Sequence, residues 1–228
     1  MNKTPFMFLA ILLLTGCDKT PTGRDQLALV PASMMAQFGS QAFLQMQQQI
    51  PASENATSNA RVQCIAREIL LEVGNRFPGT PMPNTWEIVL FDDPAPNAFA
   101  LPGGKIGVHT GLLNVARNQM QLAAVIGHEI GHVQAQHSNE RMSLQYATQG
   151  GMQLLGALAG QDSAAKQGIM AALGVGAEYG VALPFSRKHE AEADIIGLQL
   201  MAQAGFDPRE SVNLWQNMAA ANGGNEPP

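Results

Sequence analysis

The chain has 228 residues, of which 46% are hydrophobic and 14% are charged, and its formal net charge is -5. The apolar content excludes a disordered chain. The acidic balance, with no run of basic residues longer than Arg187-Lys188, excludes a typical nucleic-acid binder. Two cysteines are too few for a disulfide framework or a multi-cysteine zinc ribbon. The composition therefore predicts one globular domain with tails, and no nucleic acid among its partners.

Residues 1–16 predict a signal peptide. Lys3 is followed by an apolar run from Phe6 to Leu14, which is too short to span a bilayer. The sequence Leu14-Thr15-Gly16-Cys17 comes next and resembles the lipobox of bacterial lipoproteins, in which the cysteine is lipidated. We therefore expect a chain anchored through lipid on Cys17, facing the periplasm of a bacterial cell envelope. The alternative is an ordinary signal peptide that happens to precede a cysteine.

The segment after this cysteine suggests the next divisions of the chain. Asp18 resembles the signal that retains enterobacterial lipoproteins in the inner membrane, so this membrane is favoured over the outer one. Residues 17–26 comprise the predicted lipidated cysteine and a polar segment with proline and glycine, which predicts a tether. We expect the folded domain to occupy residues 27–222 and a polar tail to follow at 223–228.

Helical segments are predicted before the first strand. The stretch from Leu27 to Ile50 is rich in glutamine, methionine and alanine, with prolines at positions 31 and 51 that break the helix. From Asn59 to Gly74 the apolar residues recur with helical spacing. Cys64 lies in this second helix, and we expect it to be buried and unreactive.

A small sheet is predicted next. Short segments rich in β-forming or apolar residues are Trp86 to Phe91, Asn97 to Leu101, and Ile106 to Thr110. The sequence Pro102-Gly103-Gly104-Lys105 between the last two is a turn, which indicates a hairpin.

Helices dominate the remainder of the chain. Asn118 begins a capping pattern for a helix that runs to about His137. The alanine- and glycine-rich segment from Ser143 to Leu183 predicts helical packing or a mobile cover, without a clean membrane span. Further helices are predicted from Ser186 to Ala204 and from Asp207 to about Asn222. The predicted fold class is therefore α+β and mainly helical.

The first chemical motif is His128-Glu129-Ile130-Gly131-His132, an H-E-x-x-H sequence. Residues four apart share one face of a helix, so His128 and His132 can bind one metal ion. Glu129 lies beside that position, where it can accept a proton from a water molecule activated by the metal. Histidine and carboxylate ligands with an open position suit catalytic zinc. The alternative is a helix that carries two surface histidines.

A third protein ligand is predicted on the helix that begins near Ser186. Glu190 and Asp194 are four residues apart and share a face, whereas Glu192 points elsewhere. Either residue of the pair can bind the metal while the other accepts a hydrogen bond from a ligand histidine. The alternative is a pair of carboxylates on a solvated helix face.

These stretches resemble a known family of peptidases. The H-E-x-x-H motif is followed by Ser186-Arg187-Lys188-His189-Glu190-Ala191-Glu192-Ala193-Asp194, as in the gluzincin-type zinc metallopeptidases related to HtpX and the CAAX prenyl endopeptidase. The stretch from Asn97 to Lys105 and the sequence Thr110-Gly111-Leu112-Leu113 also resemble this family. The resemblance is greatest to its periplasmic branch, which includes LoiP and BepA. It implies a small sheet beside the metal-binding helix.

The resemblance also implies roles for the motif residues. It makes His128, His132 and Glu190 the ligands of one zinc ion per chain. Glu129 becomes the catalytic base, and Asp194 the hydrogen-bond partner of a ligand histidine.

Other positions receive less specific assignments. The edge strand that holds an extended substrate comprises Asn97, Ala98, Phe99, Ala100 and Leu101. Arg187 and His189 are assigned either to structural pairing or to contact with the transition state. We expect His109 and His137 to be structural.

The function implied is a zinc-dependent metalloendopeptidase that cleaves misfolded or unassembled envelope proteins. Its partners are then unfolded or misassembled protein substrates, and the membrane reached through Cys17. The alternative is a chaperone-like lipoprotein module with a structural zinc site. Glu129 favours the enzyme, because a purely structural site has no use for a carboxylate that is not a ligand.

Overall fold

The architecture is mainly helical with small β-sheets, which confirms the predicted α+β class. The computed structural model describes residues 17–78, 82–148, 163–174 and 185–221, so the predicted signal peptide at 1–16 and tail at 223–228 lie outside the described residues. The helices within these ranges are α1 (Ala32–Gln49), α2 (Ala56–Arg76), α3 (Leu112–Val115), α4 (Gln119–Gln134), α5 (His137–Thr148), α6 (Ser163–Ala172), α7 (Arg187–Gln203) and α8 (Glu210–Ala221). The strands are β1 (Cys17–Lys19), β2 (Asp25–Leu27), β3 (Glu87–Phe91), β4 (Ala98–Leu101) and β5 (Lys105–His109).

The strands β3, β4 and β5 form the predicted small sheet, in the order β3-β5-β4. β3 runs parallel to β5, and β4 and β5 form an antiparallel hairpin in which Phe99 lies opposite Gly107. Gly103 and Gly104 occupy the turn with φ of 84° and 77°, a region that glycine adopts without strain. This order places β4 at the edge of the sheet, where it packs against α4.

Part of the predicted tether is a folded hairpin. β1 and β2 form an antiparallel pair in which Asp18 lies opposite Gln26. Gly23, with a φ of 88°, lies in the turn between them. The local composition indicates only a polar segment, because the residues that hold the hairpin in place, such as Glu192, are distant in the sequence.

α2 presents one apolar face to the core. Its buried residues are Val62, Ile65, Ala66, Ile69 and Val73. They follow the i, i+3, i+4 spacing of a single helical stripe, and position 64 falls outside that stripe. Cys64 is exposed, so the prediction that it is buried is wrong.

α4 and α7 pack closely because glycines lie at their contact. A Cβ atom at Gly131 would lie 2.7 Å from the carbonyl oxygen of Ala193, and one at Gly197 would lie 2.6 Å from the backbone nitrogen of His128. Larger side chains at these positions would push the two helices apart. The glycines therefore bring the carboxylates of α7 within reach of the histidines of α4.

The helix that follows Asn118 ends earlier than predicted. The Asn118 side chain accepts a hydrogen bond from the backbone N–H of Gln121, as the capping pattern predicts. However, α4 ends at Gln134, and Gln136 takes a φ of 53° before α5 begins at His137. The helix therefore ends three residues before the predicted end at about His137, and the buried Asn139 side chain of α5 hydrogen-bonds the backbone of Val30.

No helix in the described ranges has both the length and the apolar content needed to cross a membrane. Within the alanine- and glycine-rich segment, α6 is described, whereas residues 149–162 and 175–184 lie outside the described residues.

Candidate metal centre

Three side chains with metal-binding atoms converge between α4 and α7. The Nε2 atoms of His128 and His132 are 3.0 Å apart. Glu190 Oε2 lies 3.3 Å from the first and 3.7 Å from the second. The three ligand atoms, one from each side chain, all lie within 4.8 Å of one another, which is close enough to bind a single ion. Two imidazoles and one carboxylate are a donor set that fits zinc with an open coordination position.

Glu190 is held in this orientation from the start of α7. The Ser186 side chain caps the helix by accepting a hydrogen bond from the backbone N–H of His189. The backbone N–H of Phe185 donates to Glu190 Oε1 at 2.9 Å, which leaves Oε2 for the histidines. Burial opposes ionisation, but the two histidines hold the pKa of Glu190 well below its usual value. Glu190 is therefore a carboxylate that offers one free oxygen to a metal.

Asp194 lies one turn further along α7 and contacts the other nitrogen of His128. Its Oδ1 is 2.7 Å from His128 Nδ1. Burial lowers the pKa of His128, but hydrogen bonds to Asp194 and Glu190 and the charge of Glu129 together raise it to about 10. Because Nδ1 faces Asp194, Nε2 is the nitrogen that faces the converging ligand atoms.

His132 is held by His137, for which the sequence predicts only a structural role. His137 Nδ1 lies 2.8 Å from His132 Nδ1, and His137 Nε2 lies 3.1 Å from Glu192 Oε2. Burial lowers the pKa of both histidines, so both rings are neutral near pH 7. For His132 Nε2 to bind a metal, its Nδ1–H must donate to His137, whose Nε2–H then donates to Glu192.

The position of His137 carries no local sequence signal. It lies five residues beyond His132, off the face of the motif helix, if that helix is assumed to continue. The break between α4 and α5 turns the chain and returns His137 to His132. A helix break without glycine or proline could not be read from the residue types at 134–137.

Glu129 is partly buried and directly follows His128 in α4. Its carboxylate accepts a hydrogen bond from the backbone N–H of Ala100, in the edge strand β4. Burial raises the pKa of Glu129 to about 7, with the charge of Glu190 adding to the rise and His128 opposing it. A carboxyl group with this pKa can both accept and return a proton near neutral pH.

The predicted substrate strand forms the edge of the sheet. Asn97 directly precedes β4, and its backbone carbonyl accepts a hydrogen bond from the backbone N–H of His109. The remaining residues, Ala98 to Leu101, are buried and pair with β5. The contact between Ala100 and Glu129 connects this edge with the metal-binding helix.

Arg187 and His189 differ in their exposure to solvent. Arg187 is exposed in the first turn of α7. His189 is buried, its Nε2 lies 3.1 Å from Glu140 Oε2, and its ring stacks on His137 at a centroid distance of 4.4 Å. The structure therefore places His189 in a polar cluster behind His132, not among the converging ligand atoms.

Aromatic side chains that the motifs did not indicate enclose the histidines. Phe185 stacks on His132 at a centroid distance of 4.4 Å, and the Arg141 guanidinium lies 3.6 Å from the Phe185 ring centroid. Trp215 meets His128 edge-on at 6.1 Å and lines a 230 Å³ pocket with it. These rings restrict the imidazoles to the observed orientations.

Comparison with known proteins identifies the family. The model of Peptidase family M48 matches residues 56–223. The mitochondrial metalloendopeptidase OMA1 of Schizosaccharomyces pombe is 41% identical over 138 residues, which cover 60% of this chain and 39% of the relative. The metalloprotease YcaL of Escherichia coli is 30% identical over 173 residues, covering 76% of this chain and 63% of the relative. The beta-barrel assembly-enhancing protease of Yersinia pestis is 27% identical over 226 residues, covering 92% of this chain and 46% of the relative.

The chain thus spans from 39% to 63% of the length of these relatives. The family match contains α4 and α7, and therefore both helices that carry the converging side chains. The resemblance to metallopeptidases related to HtpX is confirmed: the chain belongs to peptidase family M48.

Proposed function

We propose that the protein is a zinc-dependent metalloendopeptidase in which His128, His132 and Glu190 bind one zinc ion and Glu129 is the general base. The observation that supports this most strongly is the convergence of the three ligand atoms within 4.8 Å, in a chain of an M48 peptidase family. The neighbouring carboxyl group of Glu129, with a pKa of about 7, supplies the proton acceptor that peptide hydrolysis needs.

Each residue of the site has a separate proposed role in peptide hydrolysis. Zinc, when bound, supplies a Lewis acid that polarises the scissile carbonyl and makes water more acidic. Glu129 takes the proton from the attacking water and returns it to the leaving amine. Asp194 and His137 hold the two ligand imidazoles in the tautomer and orientation that leave Nε2 free.

The substrates that we propose are misfolded or unassembled proteins of a bacterial envelope. An extended peptide can add to the edge strand β4 through its backbone, which requires an unfolded segment but no particular sequence. The related protein of Yersinia pestis is named a beta-barrel assembly-enhancing protease, which supports an envelope setting. Lipid on Cys17 would anchor the protein on the periplasmic side, and Asp18 favours the inner membrane.

The ligand assignment is tested by metal analysis of purified protein. Wild-type protein is expected to hold one zinc ion per chain and to cleave casein, an unfolded protein. His128→Ala, His132→Ala and Glu190→Ala should each lower zinc content and cleavage together. Full zinc occupancy in Glu190→Ala would contradict the assignment of Glu190 as the third ligand.

A further inference from the structure

A buried polar cluster lies behind His132, and the N-terminal hairpin supplies its cation. Arg24, next to β2, donates from Nε to Glu192 Oε2 at 2.7 Å. Its two terminal nitrogens donate to the two oxygens of Glu140 at 2.9 and 2.7 Å. One guanidinium therefore connects α5 and α7 from the side opposite to the metal-binding atoms.

The carboxylates in this cluster need a counter-charge. Glu192 is 5% exposed and Glu140 is 8% exposed, and ionised groups this deeply buried are costly without a partner. Glu192 is hydrogen-bonded by Thr22, His137 and Arg24. Arg24 suits this position because its planar fork binds carboxylate oxygens in pairs.

The same cluster leads to a proposed metal ligand through direct contacts. Arg24 contacts Glu192, Glu192 contacts His137, and His137 contacts His132. Glu192 Oε2 is the atom shared by the guanidinium and the imidazole, with distances of 2.7 and 3.1 Å. Arg24 therefore helps to fix the carboxylate, together with Thr22 on its other oxygen, and the carboxylate orients His137.

We propose that Arg24 is a positioning residue for the metal centre, acting through Glu192 and His137 on the ring of His132. This inference rests on the proposed function, because it takes His132 as a zinc ligand. The hairpin at 17–27 is then a support of the active site. Removal of partners behind a metal ligand typically weakens metal binding by about 10–100-fold.

The experiment measures the zinc affinity of purified protein by competition with a chelator, together with kcat and KM for a fluorogenic peptide. Arg24→Gln should bind zinc about tenfold more weakly, at the lower end of the range for such partners, and should regain activity in excess zinc. Arg24→Lys keeps the charge but loses the fork, so its affinity should lie between those of wild type and Arg24→Gln. A zinc affinity of Arg24→Gln equal to that of wild type would overturn the proposal.

A matched control comes from the same hairpin. Lys19 pairs with Asp25 at 2.6 Å, but both side chains are mostly exposed. Lys19→Gln removes a cation from the hairpin without touching the cluster, so its zinc affinity should equal that of wild type. An equal loss in Lys19→Gln and Arg24→Gln would mean that hairpin charge alone is responsible, and would contradict the proposal.

A double-mutant cycle separates positioning from general destabilisation. If Arg24 acts through Glu192, then Arg24→Gln should weaken zinc binding less in a Glu192→Gln background than in wild type. Additive losses would overturn the route through Glu192.

If circular dichroism shows that Arg24→Gln does not fold, the same cycle is run with Arg24→Lys. A wild-type protein that binds no zinc would overturn the proposed function as well, whereas the outcomes above overturn only the role of Arg24.

Discussion

At the scale of single residues, the second nitrogen of each proposed ligand imidazole has its own partner. His128 contacts a carboxylate directly, Asp194, whereas His132 contacts a neutral ring, His137, and reaches a carboxylate only through it. The spacing of Glu190 and Asp194 predicts a shared face but leaves their roles open. The distances differentiate them, since Glu190 approaches the Nε2 atoms and Asp194 approaches Nδ1.

Asp194→Asn is expected to reduce zinc affinity or activity by about 10–100-fold without abolishing either. The substitution keeps an acceptor oxygen but removes the charge, so His128 becomes a poorer donor to the metal. Chelator competition measures the affinity, and peptide cleavage at saturating zinc measures the activity. Glu68→Gln, which alters an exposed carboxylate on α2, is the control. Wild-type values for Asp194→Asn would show that Asp194 has no such role, and complete loss of zinc would make it a direct ligand.

His109 gives a prediction about pH and stability. Its ring is fully buried between Phe91 and Phe99, and among the described residues neither ring nitrogen has a hydrogen-bond partner. Burial lowers the pKa of His109, although the charge of Asp93 at 3.6 Å opposes the shift. The unfolded chain, where the pKa is about 6.5, then binds the proton more readily than the folded protein. The contribution of neutral His109 to stability is therefore present at higher pH and is lost as the pH falls below that value.

The test is His109→Phe, which removes the titrating group but keeps an aromatic ring between the phenylalanines. Urea unfolding from about pH 8 to about pH 5 should show the stability of the wild type falling more steeply than that of the variant. The slope is compared because the larger ring can lower stability at every pH. Parallel slopes for the two proteins would show that His109 does not contribute.

At the scale of helices and strands, local signals predict the starts of elements better than their packing. The caps at Asn118 and Ser186, and the Gly103-Gly104 turn, all lie where the sequence predicts them. These features depend on neighbours within a few residues. The break after Gln134 and the close contact of α4 with α7 depend on distant residues, so residue types near them do not indicate either.

Gly131→Ala tests whether the helix contact positions the site. The added Cβ would lie 2.7 Å from the Ala193 carbonyl oxygen, so α7 must shift and take Glu190 with it. We expect a stability loss of about 1–3 kcal/mol, as for an overpacked core, together with weaker zinc binding. Gly74→Ala on α2 is the control, because nothing lies within 4 Å of its Cβ position. Unchanged thermal unfolding and zinc affinity in Gly131→Ala would show that the contact tolerates a methyl group.

At the scale of the whole molecule, the sequence motifs indicate the residues of the candidate site but not the residues behind it. His128, Glu129, His132 and Glu190 belong to recognisable patterns. Arg24 belongs to none of them, and Glu192 has no assigned role within its motif. The two residues are 168 positions apart, so only the folded chain reveals their contact. For the same reason the predicted tether contains a hairpin, whose partners lie on α5 and α7.

Cys17→Ser tests the proposed anchor. If lipid on Cys17 is the anchor, the variant without it should leave the membrane fraction. Casein cleavage by the released protein should continue, because Cys17 has no proposed part in binding the metal, moving the proton or contacting the cluster around Arg24. Fractionation with a high-salt wash is the measurement. A variant that stays with the membranes after that wash would require a second anchor.

The central claim is that Glu129 moves the proton while three other residues hold the metal. The measurement that tests it most directly is casein cleavage by Glu129→Gln, with zinc content determined on the same preparation. The predicted result is one zinc ion per chain, as in wild type, and a loss of cleavage of at least about 10²–10⁴-fold, because glutamine cannot accept the proton. Cleavage at the wild-type rate, or loss of zinc along with activity, would contradict the account.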